Sequence, residues 1–163
     1  MQVATQLVTA VASQLKAKVI AAFPDRACSD WEAMLLPAYR PNDEAIQMAM
    51  ELAGHGWRAL ARYRLFYHRD VMFALTAEAF QVYLPAYLCA CLEPSDRYTA
   101  DFFGYTLFRL SPRNEPAMVE QTRLLDEAQR KVTTDVLGYL ALWSGGTDAW
   151  QAFEWWKHER ARR

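Results

Sequence analysis

A chain of 163 residues that is 53% hydrophobic and 13% aromatic is long enough to bury a core without disulfides or metal, and too apolar to be disordered along its length. Its 18 basic and 19 acidic residues leave a net charge of −1, which argues against a general role in wrapping nucleic acid or coating an anionic membrane. All but four of the basic residues are Arg, the cation whose planar fork suits carboxylate and phosphate at interfaces.

The first segment repeats Ala4, Val8, Val11, Leu15, Val19 and Phe23 at steps of three and four, an amphipathic helix that Pro24 stops by Phe23. Residues 24–41 carry Pro24, Pro37 and Pro41 and read as a long connection pinned by Trp31, Leu35 and Leu36, with room for a helical turn at 31–36. Asn42 then caps a helix whose expected buried stripe is Ile46, Ala49, Met50 and Ala53, closed by Gly54. Over 57–68 the spacing predicts one helix with Leu60, Tyr63 and Tyr67 on one side and an arginine face of Arg58, Arg62 and Arg69 on another.

Thr76 caps a helix through Phe80, Tyr83, Leu84, Tyr87, Leu88 and Cys91, which Pro85 must either kink or break. Asp96 is the expected cap of the next segment, Tyr98 to Arg109 in register, whose aromatic density suits a strand as well as the helix read here. Residues 111–121, with Pro112, Asn114 and Pro116, read as a loop. Asp126 and Gln129 form a capping box for a helix carrying Val132, Val136, Tyr139, Leu140 and Trp143, ended by Gly145 and Gly146. A last helix turns Ala149, Phe153 and Trp156 inward and frays into the basic tail 157–163. With no repeat and no linker, the expectation is one all-α domain, a compact bundle of about six amphipathic helices.

Several of these stretches occur in a familiar order: Ile20-Ala21-Ala22-Phe23, Gly56-Trp57, Leu75-Thr76-Ala77-Glu78-Ala79-Phe80, Tyr83-Leu84-Pro85-Ala86-Tyr87-Leu88, Asp126-Glu127-Ala128-Gln129, then Val136-Leu137 and Leu140. In this, the chain resembles a family of bacterial proteins known as a domain of unknown function, with the Y-L-P-A-Y-L core as the most specific part. The resemblance covers residues 19–157. It implies a fold and carries over no activity, cofactor or catalytic residue.

No constellation in the sequence specifies catalysis. His55 follows Glu51 by four residues, but Gly54 separates them. Glu154 and His158 share a helix face as a single pair, short of the two E-x-x-H units of a di-iron bundle. Cys28, Cys89 and Cys91 lack zinc or redox spacing and read as reduced thiols, and there is neither a nucleophile elbow nor a phosphate loop. No cofactor and no metal are therefore expected. The start of the chain lacks a basic leader and the uncharged run 79–92 is too short to span a bilayer, so the expected location is cytoplasmic, without membrane or nucleic-acid partners.

What remains is surface. Arg58, Arg62 and Arg69 are candidates for meeting an acidic protein, and Trp155 and Trp156 form a second candidate, because adjacent tryptophans cannot both face one core. The functional expectation is a non-enzymatic protein-binding module of bacterial cytoplasm, of the kind that neutralises a toxin as its immunity partner; a homo-oligomer packed through Trp155 and Trp156 is also open. The alternative is a small enzyme or ligand-binding domain with a pocket at the Pro85 kink, lined by His68, Asp70, Tyr83 and Tyr87.

Overall fold

The computed structural model describes residues 2–93, 99–112 and 115–161, with side chains described for 6–93, 102–112 and 116–158. Among these the chain is all helical, in nine α-helices: α1 (Gln2–Ala22), α2 (Trp31–Met34), α3 (Asp43–Leu52), α4 (Arg62–Tyr67), α5 (Ala77–Cys91), α6 (Thr99–Arg109), α7 (Glu115–Gln121), α8 (Glu127–Ser144) and α9 (Thr147–Ala161). Tight 3-10 turns at Pro37–Tyr39, Trp57–Ala59 and Arg69–Phe73 connect some of them. The expected cap Asp96 lies outside the described residues.

The sequence places α5 at the centre, because twelve of its residues from Ala77 to Cys91 are buried and its polar exceptions are few. Pro85 sits inside it without breaking it. Around it pack α1, α4, α6, α7, α8 and the turn at Trp57–Ala59, and one continuous cluster of buried side chains runs from Ala12 on α1 to Trp156 on α9. Helices α8 and α9 pair most extensively, folded back on each other at Gly145, whose φ of +63° supplies the left-handed cap that an L side chain resists. Phe153 packs where a Cβ on Gly138 would stand, 3.0 Å from the ring, so this glycine admits the close crossing of α8 and α9.

The caps are where the sequence places them. Asn42 Oδ1 accepts from the Ala45 amide at 2.8 Å, and Thr76 Oγ1 accepts from the Ala79 amide at the start of α5. Asp126 and Gln129 exchange both hydrogen bonds of a capping box. An isolated antiparallel bridge between Leu35 and Leu75 ties the long first connection to the start of α5, with Leu36 N donating to Ala74 O and Thr76 N to Met34 O.

Three expectations need correction, and a fourth, left between helix and strand, is decided as read. The stretch 57–68 is not one helix: Leu60 and Ala61 are extended, so the 3-10 turn and α4 point separately, burying Leu60 and Leu65 and leaving Tyr63 62% and Tyr67 74% exposed. Residues 115–121 form α7 rather than loop, since Pro116 stands at the second helical position, where its missing N–H is not needed. On α3 the buried face is Ala45, Met48, Ala49 and Leu52, and Met50 points outward. The aromatic segment with Phe102 and Tyr105 is helix α6, settled in favour of the helical period.

Removing the capping box should have a cost that can be measured. Asp126→Ala is expected to lower stability by about 1 kcal/mol and the melting temperature by about 2–4 °C. An unchanged thermal midpoint would show that α8 needs no cap.

Candidate partner-binding surface

Hydrogen bonding in a helical core is largely closed within each helix, so a buried side chain with polar atoms must find partners across elements. On α5 this is met. Tyr83, with no exposed surface, donates its hydroxyl to Leu52 O at 2.9 Å and accepts from the Cys28 amide at 3.4 Å, tying the end of α3 to the first connection. Tyr87, equally buried and stacked on Phe102 at 5.7 Å, donates to His68 O at 2.9 Å. Burial pushes the Tyr83 hydroxyl up to about 12 and raises that of Tyr87 further, with Asp70 adding to the second shift.

Tyr83 and Tyr87 therefore fill space rather than line it. The pocket expected at Pro85 from His68, Asp70, Tyr83 and Tyr87 is not formed by these four: the tyrosine hydroxyls are committed to backbone carbonyls and Asp70 is exposed. Only Tyr87, His68 and Asp70 come near one another. His68 instead pairs with Glu51 of α3, Nε2 to Oε2 at 2.6 Å, a partner that spacing along one helix could not reveal. This pairing holds the Glu51 carboxyl below the ordinary range, first through the hydrogen bond from His68 and then through its charge.

Beyond His68 the balance changes. The turn Arg69–Phe73 lies along α6, and the two elements exchange arginines: Arg69 stacks on Tyr105 of α6 with its Cζ 4.5 Å from the ring centre, while Arg109 of α6 stacks on Phe73 of the turn at 4.8 Å. Tyr105 and Arg109 are four residues apart, so they share one face of α6. Arg69 also approaches Phe66, which meets Tyr67 edge to face, and Phe73 packs near Phe108. Neither arginine has a carboxylate partner among the described residues.

Arg109 is only 1% exposed. Its Nε donates to Met72 O at 3.2 Å, and the Gln121 amide of α7 donates to the same carbonyl and to that of Leu75. Burial pulls the guanidinium down to about 10, with Tyr39 acting the other way, so it stays charged near neutrality. The buried side-chain atoms that lack a hydrogen bond among the described residues are Nη1 and Nη2 of Arg109, Nε of Arg69, Oε1 of Gln121 and Nδ1 of His68. They all fall along this one seam.

The other candidates separate. Arg58 is exposed, donates to Ile20 O at 3.1 Å and stacks on Trp57; Arg62 lies 3.6 Å from Glu93. Extended backbone at Leu60 and Ala61 cuts Arg58 off from α4, and Arg62 turns toward Glu93 whereas Arg69 stacks on Tyr105, so neither makes a common face with Arg69. Trp156 is 1% exposed and its indole donates to Leu110 O, so it is core rather than interface; Trp155 is half-buried against it. The exposed large apolar groups at that side are Trp143 and Leu142 at the end of α8 and Trp150 on α9, and helical periodicity had assigned Trp143 to the interior.

Among the described residues no group of three or more His, Cys, Asp or Glu is placed to hold a metal ion, and no helix is long and apolar enough to cross a membrane. Comparison with protein-family models, curated proteins and solved structures gives no match.

The Glu51 and His68 pair sets a pH dependence. A carboxyl whose folded value is depressed contributes stability above its unfolded value and loses it as pH falls through the folded one. The gap in melting temperature between the wild type and Glu51→Gln should be widest at and above the ordinary carboxylate range and close as the pH falls below it. A gap that widens in acid would contradict the pairing. At Tyr87, replacement by Phe should cost about 1–3 kcal/mol in denaturant unfolding by stranding His68 O, and no loss would show that this carbonyl finds another donor.

Proposed function

We propose that this chain is a non-enzymatic protein-binding module that docks an acidic partner on the seam between the turn Arg69–Phe73 and α6. The observation that carries the reading is the collection of buried polar atoms on His68, Arg69, Arg109 and Gln121 that find no partner among the described residues. A buried charged donor without an acceptor costs about 1–3 kcal/mol or more, and a single chain gains nothing by gathering such costs in one place. A partner carboxylate supplies what the guanidinium groups lack, in the bidentate geometry that Arg favours.

The rim fits the same reading. Tyr67, Tyr63, Tyr105, Phe108 and Tyr39 are each more than a third exposed, and tyrosine with arginine is the composition of interface hot spots. Arg109 itself is buried, so seating an acid on it requires neighbouring side chains to move, whereas its chain neighbour Phe108 and Tyr39 are exposed. In its narrower form the proposal sets the chain in bacterial cytoplasm as the immunity half of a toxin pair. The free thiols of Cys28, Cys89 and Cys91 suit a reducing compartment, and matching an acidic surface is the charge complementarity by which one partner is selected.

A photo-crosslinking residue at Tyr67, expressed in native cells, should capture one acidic protein, whereas the same residue at Trp143 should not. Arg69→Glu should weaken binding of the purified partner by about tenfold or more. Equal capture from both positions, or binding untouched by Arg69→Glu, would remove the reading.

A further inference from the structure

Three cations converge at a second place, on the other side of α4. Small side chains on α5, Ala86, Cys89 and Ala90, leave a gap under Lys16 of α1, the turn with Trp57 and Arg58, and Arg62 at the start of α4. The result is an open pocket of about 110 Å³, floored also by Leu60 and Leu65. Three of its lining residues are cations and one, Glu93, is an acid.

That one carboxylate is shared. Glu93 takes Lys16 Nζ on Oε1 at 2.8 Å and Arg62 on Oε2 at 3.6 Å, each side chain remaining about a third or more exposed. Arg58 is held in place from behind: its amide donates to Asp25 Oδ1 at 3.2 Å, its guanidinium to Ile20 O, and it lies over the Trp57 ring at 5.3 Å. Asp25 thus spends its contact on backbone, and it crowds Gly56 so closely that a Cβ there would stand 2.6 Å from Oδ1. The convergence is felt at the floor. Burial pushes the Cys89 thiol up to about 11, while Lys16 and Arg58 pull it down and Glu93 acts against them.

We infer that this pocket binds a small organic oxyanion, a phosphate monoester or a carboxylate, with its anionic head between Lys16, Arg58 and Arg62 and its apolar body on Trp57 and the floor of Ala86 and Ala90. Among the described lining residues three cations stand against one acid, and a cleft with low-dielectric walls concentrates such a field. Glu93 occupies part of the position that the ligand head would take, so it is a competitor as well as a structural partner. The alanines and the cysteine explain why there is room: larger residues at those positions of α5 would close the space. This pocket adjoins Pro85 by one residue in sequence, yet its lining contains neither Tyr83 nor Tyr87.

The test is calorimetric titration and thermal shift of the full chain with phenyl phosphate, benzoate and inorganic phosphate, each against sodium chloride at matched ionic strength. Phenyl phosphate or benzoate should bind more tightly than inorganic phosphate, and the better of the two identifies the head group. Arg62→Ala should weaken that binding about tenfold or more, the loss of a charge-assisted contact, and Glu93→Gln should strengthen it several-fold. Ala90→Leu, filling the floor, should abolish it. Stability shifts reproduced by chloride, or a weaker site in Glu93→Gln, would overturn the assignment; because both surface variants leave the floor intact, the outcome does not depend on whether Ala90→Leu folds.

Discussion

Everything in this molecule hangs on the burial of α5. A helix buried nearly all round gains stability from every side, but its tyrosine hydroxyls then have no water to turn to. Tyr83 and Tyr87 answer that by reaching beyond their own helix, to Leu52 O and His68 O. These two bonds fix the end of α3 and the junction of α4 with the turn Arg69–Phe73, and so determine where Arg58, Arg62 and Arg69 can lie. The two candidate surfaces are therefore not independent decorations. They are what the loops present once the central helix has claimed its acceptors.

The seam and the pocket use opposite electrostatic arrangements. In the pocket, Lys16 and Arg62 share Glu93 in partly exposed geometry, where an ion pair adds little to stability and rearranges easily. At the seam, the positive charge of Arg109 is buried with aromatic faces and backbone carbonyls, and among the described residues it meets no acid and its Nη atoms find no acceptor. A cation–π contact with Phe73 returns part of the desolvation cost, and the C-terminal end of α6 adds a favourable dipole, but neither supplies the missing hydrogen bonds. That residual deficit separates the seam from an ordinary packed junction.

The features legible in the sequence are the ones written locally. Asn42, Thr76 and the Asp126 and Gln129 box act over three residues, and all of them cap as the spacing requires; the helical period of α1, α5 and α8 likewise needs only its own residues. Misreadings arose where two local patterns were equally good. Arg58 and Arg62 keep an i,i+4 spacing whether or not the chain extends at Leu60, and only the burial of Leu60 and Leu65 against α5 decides it. Pro112, Asn114 and Pro116 carry loop chemistry, but a proline in the first turn of α7 is as compatible with a helix as with a loop.

The seam itself was out of reach for a different reason. Of its cations the sequence singles out Arg69, as part of an arginine face that does not exist, and offers Arg109 only as the last position in register of its helix. Nothing near Arg109 marks it for burial: it is a charged residue at a helix end, the usual place for a solvated cation. Its fate is set by Phe73 and Met72, more than thirty residues earlier, and by Gln121 from a helix whose prolines and asparagine carry loop chemistry. Two arginines exchanged between neighbouring elements make a pattern only in three dimensions. Pairing Tyr105 with Arg109 at helical spacing and Arg69 with Phe73 in the preceding turn is the sole sequence trace of it, and that trace acquires meaning once the turn is known to lie along α6.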